Sequence, residues 1–155
     1  MKSELLRAIA KSWLIVATLD ILAAFIQTWL YGRNPIKVLN YIASGVFGQS
    51  AIEGTWHYGL YGLIFHYFIA LSWTTLFFLM YPRLKFLSKN LTLTGMGYGL
   101  FVWILMTQAV LPLSNVTRGP FRLTSAIIAI VILMVAIGLP LAFMAAKFYS
   151  RAEKP

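Results

Sequence analysis

Residues 124–148, TSAIIAIVILMVAIGLPLAFMAAKF, carry no charged side chain before Lys147. A helix rises 1.5 Å per residue, so about 20 apolar residues cross the ~30 Å hydrocarbon core of a bilayer. This stretch has that length and is apolar on every face. Such a helix either spans a membrane or sits in the core of a large protein. A chain of 155 residues does not build a soluble core large enough to sheath it.

Three more stretches meet the same criterion, at about 12–31, 58–81 and 93–113. Pro82 stops the second by removing a donor and crowding the preceding turn, and Pro112 marks the end of the third. Pro140 falls inside the fourth, where a membrane helix is expected to kink and continue, its freed carbonyl satisfied locally. Between the first and second spans, Asn34-Pro35 reads as a helix start, with an Asn cap and Pro at the first helical position. The apolar residues that follow predict a short interfacial or re-entrant helix over about 35–47, then a loop through Gln49, Ser50 and Glu53. The expected fold is all-α: one polytopic membrane domain over 1–155, four transmembrane helices and that short helix.

Composition agrees. Apolar residues make up 60% and charged residues 11%, against about 45–50% and 25% in soluble domains. The sequence has no cysteine, which excludes disulfides, thiolate metal sites and thiol nucleophiles. The formal charge of +9 does not point to nucleic acid, because the bases sit at the ends of apolar runs rather than on one soluble face. Their partners are expected to be membrane lipids with anionic headgroups.

Base placement predicts the topology. Lys2, Arg7, Lys11, Arg83, Lys85, Lys89, Lys147, Arg151 and Lys154 fall on the side of the N-terminus; Arg33, Lys37, Arg118 and Arg122 fall on the other. The positive-inside rule then puts both termini in the cytoplasm. The early bases followed by an apolar run resemble a signal peptide, but Asp20 interrupts the run and it continues to Leu30, so an uncleaved first span is expected. Trp13, Trp29, Tyr31, Trp56, Tyr58, Tyr81, Phe148 and Tyr149 lie near span ends, where amphipathic rings favour the headgroup level.

In lipid, small residues mark where helix backbones approach. Gly95-x-x-x-Gly99 opens the third span, and Gly138, Ala142 and Ala146 repeat every four residues in the fourth. Gly59 and Gly62 lie early in the second span. Packing within one chain is the simpler reading of these faces, and a homodimer is the alternative.

Asp20 is the anomaly that a function must use. An acid near the centre of a span costs ~2.5–3.5 kcal/mol on insertion scales, so it faces the bundle interior or a wet cavity. His66 enters from the opposite side to a similar depth, ~12 Å by helical rise. An Asp–His pair in lipid can hold or relay a proton; the plainer reading is that each is satisfied by backbone and sets helix register. Gln27, Gln108, Glu53 and His57 gather toward the same outer half and complete a candidate binding or proton pocket. Glu53 can instead pair with Arg33 or Arg118. The His-x8-His spacing with one Glu is not a ligand pattern, so no metal and no cofactor is expected. Ser114, beside Pro112, can cap or bind, and Asn115-Val116-Thr117 fits the common glycosylation pattern. No phosphate loop, nucleophile elbow or zincin motif is present.

Thr18-Leu19-Asp20-Ile21, Ile42-Ala43-Ser44-Gly45-Val46-Phe47-Gly48, Gly62-Leu63-x-x-His66 and Val110-Leu111-Pro112-Leu113-Ser114 resemble a family of small bacterial four-helix membrane proteins. His66, the Pro82–Lys85 turn, Gly95 with Gly99, and Pro112-Leu113 are similar to YagU-type inner-membrane proteins. The resemblance implies a bacterial inner membrane and draws attention to Asp20 and His66; it carries no mechanism. The functional expectation is small-solute or proton-linked transport through the Asp20–His66 pocket. The alternatives are a structural or lipid- or partner-binding protein, then a membrane enzyme using His57, His66 and Glu53 as acid–base groups.

Overall fold

The computed structural model describes residues 2–117 and 119–152. Among these there is no strand. The helices are α1 (Lys2–Leu30), α2 (Ile36–Phe47), α3 (Gln49–Glu53), α4 (Trp56–Met80), α5 (Leu91–Leu105), α6 (Leu123–Ile132) and α7 (Leu139–Ala152). A π-helical segment, Met106–Val110, continues α5, and another, Leu133–Gly138, joins α6 to α7. Four helices are therefore long and apolar enough to cross a membrane: Lys2–Leu30, Trp56–Met80, Leu91–Val110 and Leu123–Arg151.

Side-chain exposure fits that environment. Leu60, Ile64 and Phe68 share one face of α4 at four-residue spacing and are 52%, 54% and 67% exposed. A water-soluble monomer does not present such a stripe, whereas acyl chains cover it at no cost.

The sequence boundaries shift in two places. The first helix starts at Lys2 rather than near residue 12, because nothing from Lys2 to Lys11 breaks it. Trp13, a ring expected at headgroup level, donates from Nε1 to the Tyr67 carbonyl at 2.7 Å. The stretch expected to be a loop after α2 is helical, α3. Gly48 separates α2 from α3 at φ +64°, a conformation that only glycine adopts without strain. Asn34 does cap α2, its Oδ1 accepting from Ile36 N–H at 3.0 Å.

Close backbone approach holds the helices together. A Cβ on Gly62 would run into the backbone of Leu39, which seats α2 across α4. A Cβ on Gly99 would lie 2.6 Å from the Met134 backbone nitrogen, and one on Gly95 2.7 Å from the Leu139 Cα. Gly138 reciprocates against Gly95, and Ala142 is fully buried. These glycines thus serve the α5 contact with the π-segment and α7 inside one chain.

Near the end that holds the termini, Phe77, Phe78 and Leu141 are completely buried. The phenols there are satisfied by backbone, Tyr98 donating to the Trp73 carbonyl at 2.6 Å and Tyr149 to that of Phe78 at 2.7 Å. At the opposite end, the Asn115 backbone N–H donates to the Gly45 carbonyl and its side-chain amide to the Val46 carbonyl, both at 2.9 Å. These bonds take up carbonyls that the end of α2 leaves unpaired and fasten the segment after α5 over the bundle.

Each π-segment ends two residues before a proline, Val110 before Pro112 and Gly138 before Pro140. Proline has no N–H to offer the carbonyl four residues back. Widening the turn shifts the bonding register by one residue: Leu111 N–H donates to Met106 O at 2.8 Å, and Leu139 N–H to Met134 O. The fourth span thus absorbs Pro140 by a π-segment.

Candidate functional site

A seam of polar contacts joins α1 to α4. Along α1, Trp13, Ala17 and Thr18 face His66 and Tyr67 of α4. Besides the Trp13 bond, the Thr18 and Tyr67 hydroxyls share a hydrogen bond at 2.9 Å. The edge of the Trp13 ring meets Tyr67 with centroids 5.9 Å apart. His66, only 8% exposed, lies 2.8 Å through Nε2 from the Ala17 carbonyl oxygen. A carbonyl can only accept, so Nε2 carries the proton and Nδ1 is the basic nitrogen of the neutral ring. These contacts fix the rotation and height of α1 on α4, and so the direction in which Asp20, one turn beyond Ala17, points.

It points into a cavity of about 230 Å³ that His66 also lines. The carboxyl and the imidazole are electrostatic neighbours there. The rest of the wall is largely apolar, drawn from the other three spans and α2: Ile69 and Trp73 from α4, Tyr41 from α2, Met106 and Leu133 from the two π-segments. Both π-segments therefore border the cavity, as such turns often do at functional sites. Ser114 and Val116 form its roof with Gly45. The Ser114 hydroxyl donates to the Leu111 carbonyl at 2.8 Å and accepts from the Val116 N–H at 3.4 Å.

The cavity joins Asp20 with His66 and leaves the other sequence candidates outside. Gln27 lies in a separate surface groove against Ile128. Gln108 is exposed on the π-segment, on the side away from the lining residues Met106 and Val110. Glu53 is exposed and its Oε1 accepts from Gln49 Nε2 at 2.8 Å, within α3. His57 is exposed, stacked on Trp56 with centroids 4.0 Å apart and bonded to the Thr55 hydroxyl at 2.9 Å. The reason is helical phase: a residue at the right depth but on the wrong face of its helix cannot reach the interior. Among the described residues no three His, Asp or Glu side chains converge as a metal site would require. Arg118, one of the two bases offered to Glu53, and Lys154 lie outside the described residues. The Asn115 amide is engaged by Val46.

Trp73 and Tyr41 were not singled out from sequence. Trp73 was within reach: His66, Ile69, Ala70 and Trp73 follow the spacing of one helical face, and all four line the cavity. Tyr41 carried no such signal, because the placement of α2 is a tertiary matter.

These features define the class: a polytopic helical membrane protein with an internal, mostly apolar cavity holding one carboxyl and one imidazole. Comparison of the chain with protein-family models, curated proteins and solved structures gave no match.

Proposed function

We propose that the protein is a small transport protein that binds a mostly apolar, singly charged organic cation in this cavity and exchanges it for a proton. The observation that carries the reading is the convergence of Asp20 and His66 on one cavity walled by all four spans. Hydrocarbon tolerates an ionised side chain poorly, so Asp20 holds either a proton or another cation. Release of one is tied to capture of the other. Trp73 and Tyr41 suit a cation through their ring faces, and the apolar wall suits its alkyl part. His66, kept on Ala17 through Nε2, can take up a proton at Nδ1 without giving up that bond.

With both termini in the cytoplasm, as the base asymmetry favours, the cavity sits toward the outer face, roofed by α2 and residues 111–116. The motif resemblance favours a bacterial inner membrane. Passage to the other side would require the close-packed end around Phe77 and Leu141 to open, or a second copy. That copy would join through the exposed apolar faces, since the glycine faces are already occupied.

The test is uptake of radiolabelled tetramethylammonium into proteoliposomes under an imposed proton gradient, with proton flux followed in parallel. The expected result is gradient-driven uptake that Asp20→Asn abolishes. Absence of both fluxes from the unmodified protein would count against transport. A structural reading, in which the His66–Ala17 bond merely sets helix register, would then hold, and Asp20→Asn would alter stability alone.

A further inference from the structure

A second feature lies at the other end of the bundle, apart from the Asp20 cavity. Arg7 and Lys11 are one helical turn apart on α1, and Lys147 and Arg151 are one turn apart on α7. The two helices pack together, and all four bases line one groove of about 610 Å³. Glu4 lines it too, leaving four cations against one carboxylate. Below the charged rim the walls turn apolar. Ile15 lies one turn deeper along α1 than Lys11, and Met144 one turn deeper along α7 than Phe148; both line the same groove.

We infer that this groove is a binding site for an anionic phospholipid of the leaflet on the side of the termini. The headgroup phosphate lies between the two base pairs, and an acyl chain runs down past Ile15 and Met144. Two properties single out a lipid. The excess of positive charge favours a headgroup of net negative charge over a zwitterion, whose own cation the four bases would repel. The polar-to-apolar gradient runs along the helix axes, as an amphiphile standing in a leaflet requires, whereas a soluble anion would need only the rim. Basic pockets between membrane helices take acidic headgroups by this logic. Lys85 and Lys89, at the same end of the bundle, do not line the groove and serve as an internal control.

The test uses the full chain in nanodiscs containing phosphatidylglycerol and phosphatidylcholine with matched acyl chains. The lipid retained after detergent extraction is quantified by native mass spectrometry. Phosphatidylglycerol is expected to be enriched over the bulk. Lys11→Gln with Lys147→Gln should lower that enrichment by about fivefold for each base removed. Lys11→Arg with Lys147→Arg should restore it, and Lys85→Gln with Lys89→Gln should leave it unchanged. Equal loss in the Lys85/Lys89 variant would overturn the site, because the preference would then be a property of surface charge in general. Displacement of the lipid by millimolar inorganic phosphate would overturn the lipid assignment in favour of a soluble anion. No enrichment in the unmodified protein would overturn both. Thermal unfolding of each variant separates loss of the site from loss of the fold.

Discussion

The His66 imidazole donates from Nε2 to the Ala17 carbonyl at 2.8 Å, joining α4 to α1 one turn from Asp20. Because the acceptor is a backbone atom, no side-chain change on α1 removes it, and the bond reports on His66 alone. Replacing His66 with Ala is expected to lower stability by about 1 kcal/mol for the bond, with further loss from the emptied volume. His57→Ala, at an exposed ring, should leave the unfolding midpoint in detergent unchanged. Equal effects at the two histidines would mean that the α1–α4 seam does not depend on this bond.

Two glycines on α5 separate packing from backbone freedom. A Cβ at Gly99 would press on the backbone at Met134, whereas nothing lies within 4 Å of one at Gly97. Gly99→Ala is expected to destabilise by about 1–3 kcal/mol, as overpacking does. Gly97→Ala should be neutral or stabilising by up to about 1 kcal/mol, from helix propensity. Denaturant titration in mixed micelles measures both, and a loss at Gly97 as large as that at Gly99 would contradict the contact described.

Tyr98 and Phe77 stand face to edge with ring centroids 4.6 Å apart, but they are held differently. Tyr98→Phe removes only the hydrogen bond to the Trp73 carbonyl, and a cost of about 1 kcal/mol is expected. Phe77→Ala empties a fully buried site and should cost about 3–5 kcal/mol. If the tyrosine change proved the more damaging in thermal unfolding, that end of the bundle would be organised by polar contacts rather than by packing.

The roof over the cavity depends on Asn115. Asn115→Ala removes the amide donor to Val46 while keeping the backbone bond to Gly45. Loss of about 1 kcal/mol of local stability corresponds to roughly fivefold faster amide hydrogen exchange in residues 111–117. Exchange in α5 should be unaffected. Unchanged exchange in the roof segment would show that the amide bond does not hold it down.

The four spans were legible in the sequence because a bilayer sets one dominant requirement, about 20 apolar residues in a row, and 124–148 meets it without any partner. The short helix was legible from Asn34-Pro35, and the prolines correctly marked where helical bonding must change. Asp20 and His66 stood out because the surrounding composition makes a titratable group costly. What sequence could not supply was phase. Gln27, Gln108, Glu53 and His57 lie at plausible heights, yet only the rotation of each helix decides whether a side chain meets the cavity, lipid or its own neighbours. That rotation comes from contacts far apart in the chain, such as Gly62 against Leu39 and Trp13 on Tyr67. Local hydropathy therefore determined the number and extent of the spans. Tertiary packing decided that two polar residues, an aromatic pair and two π-segments share one cavity, because close approach of backbones is a property of pairs of helices and is written in neither helix alone.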